Sequence, residues 1–300
     1  MRPLIWILAL AILSAGVPFQ ALAATQKIKL TTVAPKGSSY HRSLQRLGES
    51  WRSISGGSVE LIVYAGGMGG EAAMVERMMI GQSQAGLLTA TGLALIEPGV
   101  AGLQNMPMMF RSLDEVDYIG RKLQPKLQER MHDKGFVVLS WIDTGWVRFF
   151  SRTPVVRIDD LKKLDLFTWA GDSKTIDVMT HAGLKPVPLE TDDILTGLQT
   201  GLIDAVPMPP FYALALQVYR HAPHMLDLHW APLVGALVVT RKAWDRIPVE
   251  LQSEMRDAAA QTGAEIKAAG RSEGAQSILT MRKVGPHGSR AHSRDRGRVA

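Results

Sequence analysis

The chain has 300 residues, no cysteine, and 34 Lys and Arg against 28 Asp and Glu, a net charge of +6. Without cysteine there are no disulfides, thiolate metal sites or thiol catalysis. The positive balance is no nucleic-acid signal once located: Arg282, Lys283, Arg290, Arg294, Arg296 and Arg298 against Asp295 put +5 near the end, Arg2 adds +1, and the body between is neutral.

Met1-Arg2-Pro3, an apolar run from Leu4 to Val17 and Ala21-Leu22-Ala23 have the layout of a secretory signal. The apolar run is short for a membrane span, so cleavage after Ala23 and a periplasmic destination are expected. About 277 residues follow, enough for two α/β lobes. Lys27 to Val33 alternates like a strand, Tyr40 to Ile54 has helical spacing with Ser38 or Ser39 placed to cap it, and Gly56-Gly57 ends it. Val59 to Tyr64 (strand), Glu71 to Ile80 (helix) and Ala85 to Leu88 (strand) complete a β-α-β-α-β order that argues for an α/β sheet.

Farther on, Phe136 to Trp141 and Trp146 to Ser151 read as strands flanking a turn, Leu164 to Trp169 as another strand, and Thr175 to Ala182 as a short helix. A helix from Asp192 to Thr200, capped by Asp192 or Asp193, and an extended Leu202 to Val206 lead to the Pro207-Met208-Pro209-Pro210 break. Phe211 to Arg220 looks helical, Leu233 to Thr240 extended, and Pro248 to Met281 forms a long Ala-rich helix. Residues 282–300 are Arg-rich and aperiodic, expected to be a disordered or frameshifted basic tail.

Three patterns could carry chemistry. Gly66-Gly67-Met68-Gly69-Gly70 could cradle a phosphate at a helix start, but it lacks the Gly-Lys-Ser/Thr ending and the dinucleotide spacing, so a tight strand-to-helix connection is expected. Gly270-Arg271-Ser272-Glu273-Gly274 has the G-x-S-x-G form but sits inside a helical pattern. His221, His224, Asp227 and His229 could bind a metal, yet Ala222-Pro223 interrupts any common helical face. A secreted hydrolytic or metal-dependent enzyme using these residues, or Asp192 and Asp193 as an acid/base pair, is the alternative reading. No nucleophile has an identifiable partner, no cofactor motif occurs, and a non-enzyme is expected. Trp141, Trp146, Phe149, Phe167, Trp169, Phe211, Tyr212 and Trp230 concentrate the aromatics of a chain only 6% aromatic.

Several stretches resemble the substrate-binding subunits of TRAP transporters, the DctP type. They are Thr32-Val33-Ala34-Pro35-Lys36-Gly37-Ser38-Ser39-Tyr40-His41, Gly66 to Glu71, Met106-Pro107-Met108-Met109-Phe110, Gln199-Thr200-Gly201-Leu202-Ile203-Asp204 and Arg241 to Pro248. Leu161 to Trp169 resembles that family's "D-L-K-G-L-K-I-R-V" strand, with Phe167 where the family has the Arg that clamps a carboxylate. After Asp204 the family often presents an Asn, and here Ala205-Val206-Pro207-Met208 follows. The resemblance, from about Ile28 to Met281, implies a bilobal type II periplasmic-binding-protein fold of two α/β lobes with a hinge, a long bridging helix and a ligand between the lobes. Lobe I would comprise 24–145 and about 235–260; lobe II, 146–234 with about 261–281 and the bridging helix.

The candidate ligand-binding residues are Phe167, Trp169, Trp146, Arg148, Tyr40, Thr89, Met208, Phe211 and Tyr212. Without the clamp the cleft should take a hydrophobic or amphipathic small molecule, with an organic monocarboxylate open if Arg148 faces it. The implied partners are the small and large TRAP membrane subunits, and a periplasmic tetratricopeptide-repeat protein from the subgroup lacking the Arg; no nucleic acid is expected. A ligand-independent scaffold is conceivable if side chains fill the cleft.

Overall fold

The computed structural model describes residues 25–66 and 69–284; the expected signal segment, Gly67-Met68 and the tail beyond Val284 lie outside them. Strand β1 (Gln26–Thr32) leads to α1 (Ser39–Ile54), whose N-cap is Ser38: its Oγ accepts the His41 N–H at 3.2 Å. Tyr40, Leu44, Leu47 and Trp51 recur every three to four residues and are buried, and the Trp51 indole donates to the Met255 carbonyl at 2.9 Å. Removing the cap hydroxyl with Ser38→Ala should cost about 1 kcal/mol, read by chemical denaturation.

Strand β2 (Val59–Ala65), α2 (Gly70–Met79), β3 (Ala85–Thr89) and α3 (Ala90–Ile96) continue the expected alternation. A 3-10 turn then precedes α4 (Leu113–Asp133), an element absent from the expected list. Pro125 lies inside α4, and a proline normally breaks a helix. Here Val116, Gly120, Leu127 and Met131 bury one face, and Ser112 caps the first turn through the Glu115 N–H, which hold the helix across that break.

A turn was expected after Trp141; instead β4 (Phe136–Trp146) is one eleven-residue strand, paired with the chain's last strand as far as Trp146. Next come β5 (Arg148–Ser151), α5 (Ile158–Leu161), β6 (Asp165–Trp169), α6 (Ser173–His181), β7 (Lys185–Leu189), α7 (Ile194–Thr200), β8 (Ala205–Met208), α8 (Pro210–Ala215), β9 (His224–Leu226), β10 (Pro232–Thr240), α9 (Arg241–Trp244) and α10 (Val249–Val284). The expected helix to Arg220 stops at Ala215 because Gln217 turns left-handed, at φ 57°. Asp193 is at the start of α7, but its side chain makes no capping bond, and Asp192 lies in a preceding 3-10 turn.

The strands form two five-stranded sheets, ordered β2-β1-β3-β10-β4 and β7-β6-β8-β5-β9. In the first, β10 runs antiparallel to both neighbours; in the second, β5 runs antiparallel to β8 and β9 while β6 is parallel to β7 and β8. Two lobes result, and α10 joins them: Met255, Ala259 and Ile266 lie in the core of the first, Met281 in that of the second.

Candidate functional site

Two chain crossings between the lobes run side by side. Val147 links β4 to β5, residues 227–231 link β9 to β10, and the two are bonded through Val147 N–H to Ala231 O (2.8 Å) and Trp230 N–H to Val147 O (3.2 Å). Against this hinge, at the carboxyl end of β6 where open α/β sheets take ligands, lies a cleft of about 650 Å³, its open mouth included. Val147, Pro207, Trp230 and Met179 give it an apolar wall, with Phe167 and Trp169 at its border. The polar lining comprises Gln104, Asn105, Thr168, Asp172 and Thr175, and among the described residues no Lys, Arg or His contributes. Asp172, the single charge, caps α6: its carboxylate accepts the Thr175 N–H at 3.0 Å and hydroxyl at 2.7 Å.

Phe167 and Trp169 border the cleft as part of β6, but their rings, edge to face at 5.1 Å, pack with Met208 in the lobe II core, where Phe167 is fully buried. The other expected site residues sit elsewhere. Arg148 and Trp146 do not line this cleft: the Arg148 guanidinium is ion-paired with Asp227, and Trp146 stacks on His229 at 4.7 Å. Burial holds Arg148 below the usual guanidinium range. Neighbouring strand residues face opposite ways, so Val147 reaches the cleft and Arg148 does not; the same alternation in β8 puts Pro207 in the wall and Met208 in the lobe II core.

Tyr40, Thr89 and Tyr212 line a second, smaller cavity of about 360 Å³ with Thr32, Leu87 and Ile266. Phe211 packs on the Tyr40 ring at 4.9 Å and lines neither. Burial raises the Tyr40 hydroxyl, helped by Tyr212 and Glu273, and raises the Tyr212 hydroxyl, helped by Glu71. Glu71 is buried, and its carboxylate accepts from Thr89 N–H (2.6 Å), Thr89 hydroxyl (2.5 Å) and Gly92 N–H (2.9 Å); burial still raises its pKa. The glycine-rich stretch thus leads into a carboxylate that ties α2 to α3, as a structural connection requires.

The enzyme patterns come apart. Ser272 lies within α10 and donates to the Ala269 carbonyl, Asp227 is held by Arg148, and the His221 ring lies 3.3 Å from the Gln199 amide. Among the described residues no group of three or more His, Cys, Asp or Glu could hold a metal, and no helix is long and apolar enough to cross a membrane. Sequence reasoning, which placed the Pro207 to Tyr212 turn at the cleft, missed Val147, Thr168, Gln104 and Asn105. Strand parity counted from Phe149 could have placed the first; nothing in the sequence distinguishes the others.

Residues 30–288 match the family described as bacterial extracellular solute-binding protein, family 7, DctP. The chain belongs to this family. Among DctP relatives, the C4-dicarboxylate-binding periplasmic protein DctP of Rhodobacter capsulatus is 22% identical over 279 residues, 91% of this chain and 82% of that protein. The YiiZ protein of Salmonella typhimurium is 24% identical over 62% of this chain and 58% of its own length. The chain therefore spans under two thirds of YiiZ. A TRAP periplasmic solute-binding protein of Pseudomonas putida F1, solved with D-glucuronate, superposes with a TM-score of 0.79 at 24% identity, covering 86% of this chain and 85% of that one. The DctP chain thus has the bilobal fold, long C-terminal helix included, that the resemblance implied.

Proposed function

We propose that the protein is the extracytoplasmic solute receptor of a TRAP-type secondary transporter, and that its cleft captures a hydrophobic or amphipathic small molecule for the small and large membrane subunits. Family membership supports the receptor role. The ligand class rests on one observation: the cleft is walled by Val147, Met179, Pro207 and Trp230 and, among the described residues, lined by no basic side chain. The named relatives bind acids, a C4-dicarboxylate and D-glucuronate. A carboxylate desolvated without a cation costs several kcal/mol, and Arg148, the remaining candidate clamp, is committed to Asp227 outside the cleft. That weighs against the monocarboxylate variant of this reading. A tetratricopeptide-repeat partner rests on the likeness to the Arg-lacking subgroup alone.

In a thermal-shift assay, succinate, malate and D-glucuronate should leave the transition unmoved, whereas small molecules extracted from protein purified under native conditions should include an uncharged apolar compound that raises it. A ligand at 100 times its Kd adds about 2.7 kcal/mol of stability. Stabilisation by any of the three acids would overturn the proposed ligand class and leave the receptor role standing.

A further inference from the structure

Lobe I has a cavity of its own, about 680 Å³ with its open mouth included, and no residue lines both this cavity and the interlobe cleft. Strands β4 and β10 form its floor: Trp141 and Asp143 alternate onto one face of β4, and Val234, which pairs with Asp143, lies on the same face. Helix α4 forms a wall, since Val116, Asp117, Gly120, Arg121 and Gln124 share one side of it at helical spacing. Leu103 and Phe110 complete the lining on the apolar side.

A glycine hollows that wall. Gly120 sits inside α4, where alanine is the better helix former. A Cβ there would meet only the Gln124 side chain, its amide nitrogen at 3.0 Å, so no close approach of another element demands the glycine. What the missing side chain leaves is room in the cavity.

The charges of the lining select a ligand. Asp117 and Asp143 are both engaged by Lys267 and Arg271, two carboxylates against two cations. A cationic ligand would have to displace one of these partners. Arg121, exposed at the rim, has no hydrogen-bond or ion-pair partner among the described residues, and the half-buried Gln124 lies one turn along the same face. A guanidinium offers a planar fork that fits a carboxylate, and Phe110, Val116 and Trp141 offer apolar surface to the rest of an acid.

We propose that this cavity binds an aromatic monocarboxylate, its carboxylate on Arg121 and Gln124 at the rim and its ring against Phe110 and Trp141. The interlobe cleft, with no basic residue in its described lining, does not compete for such an acid.

The test titrates the full chain by calorimetry at neutral pH with 2-naphthoate and its uncharged analogue 2-naphthylmethanol. The wild type should bind 2-naphthoate saturably and about tenfold more tightly than the alcohol, the scale of one charge-assisted hydrogen bond. Arg121→Gln should bring the two within about twofold. Gly120→Leu, which fills the hollow, should weaken 2-naphthoate about tenfold. Val178→Trp, which crowds the interlobe cleft from an exposed position on α6, should leave it unchanged. Gly120→Ala should melt no lower than the wild type, because the added methyl enters free space. The proposal is overturned by a wild type that does not bind 2-naphthoate, by an undiminished preference in Arg121→Gln, or by a lower melting temperature of Gly120→Ala. It is overturned too if Val178→Trp abolishes binding or a folded Gly120→Leu leaves it intact. Binding lost in Val178→Trp alone would place the acid in the interlobe cleft and overturn the apolar ligand class there as well. Should Gly120→Leu not fold, the other three variants decide.

Discussion

Arg271→Met should destabilise the protein by about 3 kcal/mol, measured by urea unfolding at neutral pH. Asp143, on β4, has a side chain only 5% exposed, and Arg271 of α10 holds it through Nε at 2.9 Å and Nη2 at 2.7 Å. The same guanidinium reaches both oxygens of Asp117 on α4, and Lys267, bonded to Asp117, lies 3.2 Å from Asp143. Losing Arg271 leaves a desolvated carboxylate with one partner in place of two. Adding Asp143→Asn to Arg271→Met should recover part of the loss, since the buried charge is then gone.

The pH dependence has a definite sign. Burial alone would raise Asp117, but its bonds to Arg271 and Lys267 outweigh burial and hold its carboxyl below the ordinary range. A carboxyl depressed in the fold stabilises fully above its unfolded value, about 4, and ceases to as the pH falls through its folded value. The gap between wild type and Arg271→Met should therefore narrow in acid and be widest near neutrality.

Gly270→Ala should cost about 2 kcal/mol although alanine is the better helix former by about 1 kcal/mol. A Cβ at this position would lie 2.8 Å from the Thr144 Cα and 2.6 Å from the Tyr40 hydroxyl, so α10 could no longer rest on β4 and α1 as it does. Gly274, one turn on, has nothing within 4 Å of the same hypothetical atom, and Gly274→Ala should stabilise. Opposite signs in thermal melts of the two variants would show that the first glycine of the G-x-S-x-G look-alike serves packing. Two gains of similar size would show that the helix has room to move.

The legible and illegible parts of the fold divide along physical lines. Elements such as α1, with one face buried at helical spacing, and β10, a continuous apolar run buried on both faces, were readable. Helix α4 was not, since Pro125 contradicts the helix locally and its compensation comes from contacts with the rest of lobe I. For the cleft, the strand bearing Phe167 and Trp169 was found, but the parity of β5 and β8 decides that Val147 and Pro207 face the ligand space while Arg148 and Met208 do not.

The position of β10 orders the closing of the two sheets in time, whereas both cores wait for α10. Strand β10 lies between β3 and β4, pairing Val238 with Gly86 about 150 residues earlier, and it is made only after the five strands of lobe II. Until residue 240 is available, β3 and β4 present facing unpaired edges, and closing so long a loop is slow. All five strands of lobe II fall within residues 148–226, so that sheet can form as soon as its own segment is complete. The sheet of the first lobe therefore closes after that of the second, and a chain stopped before β10 should be the form most prone to aggregate or be degraded.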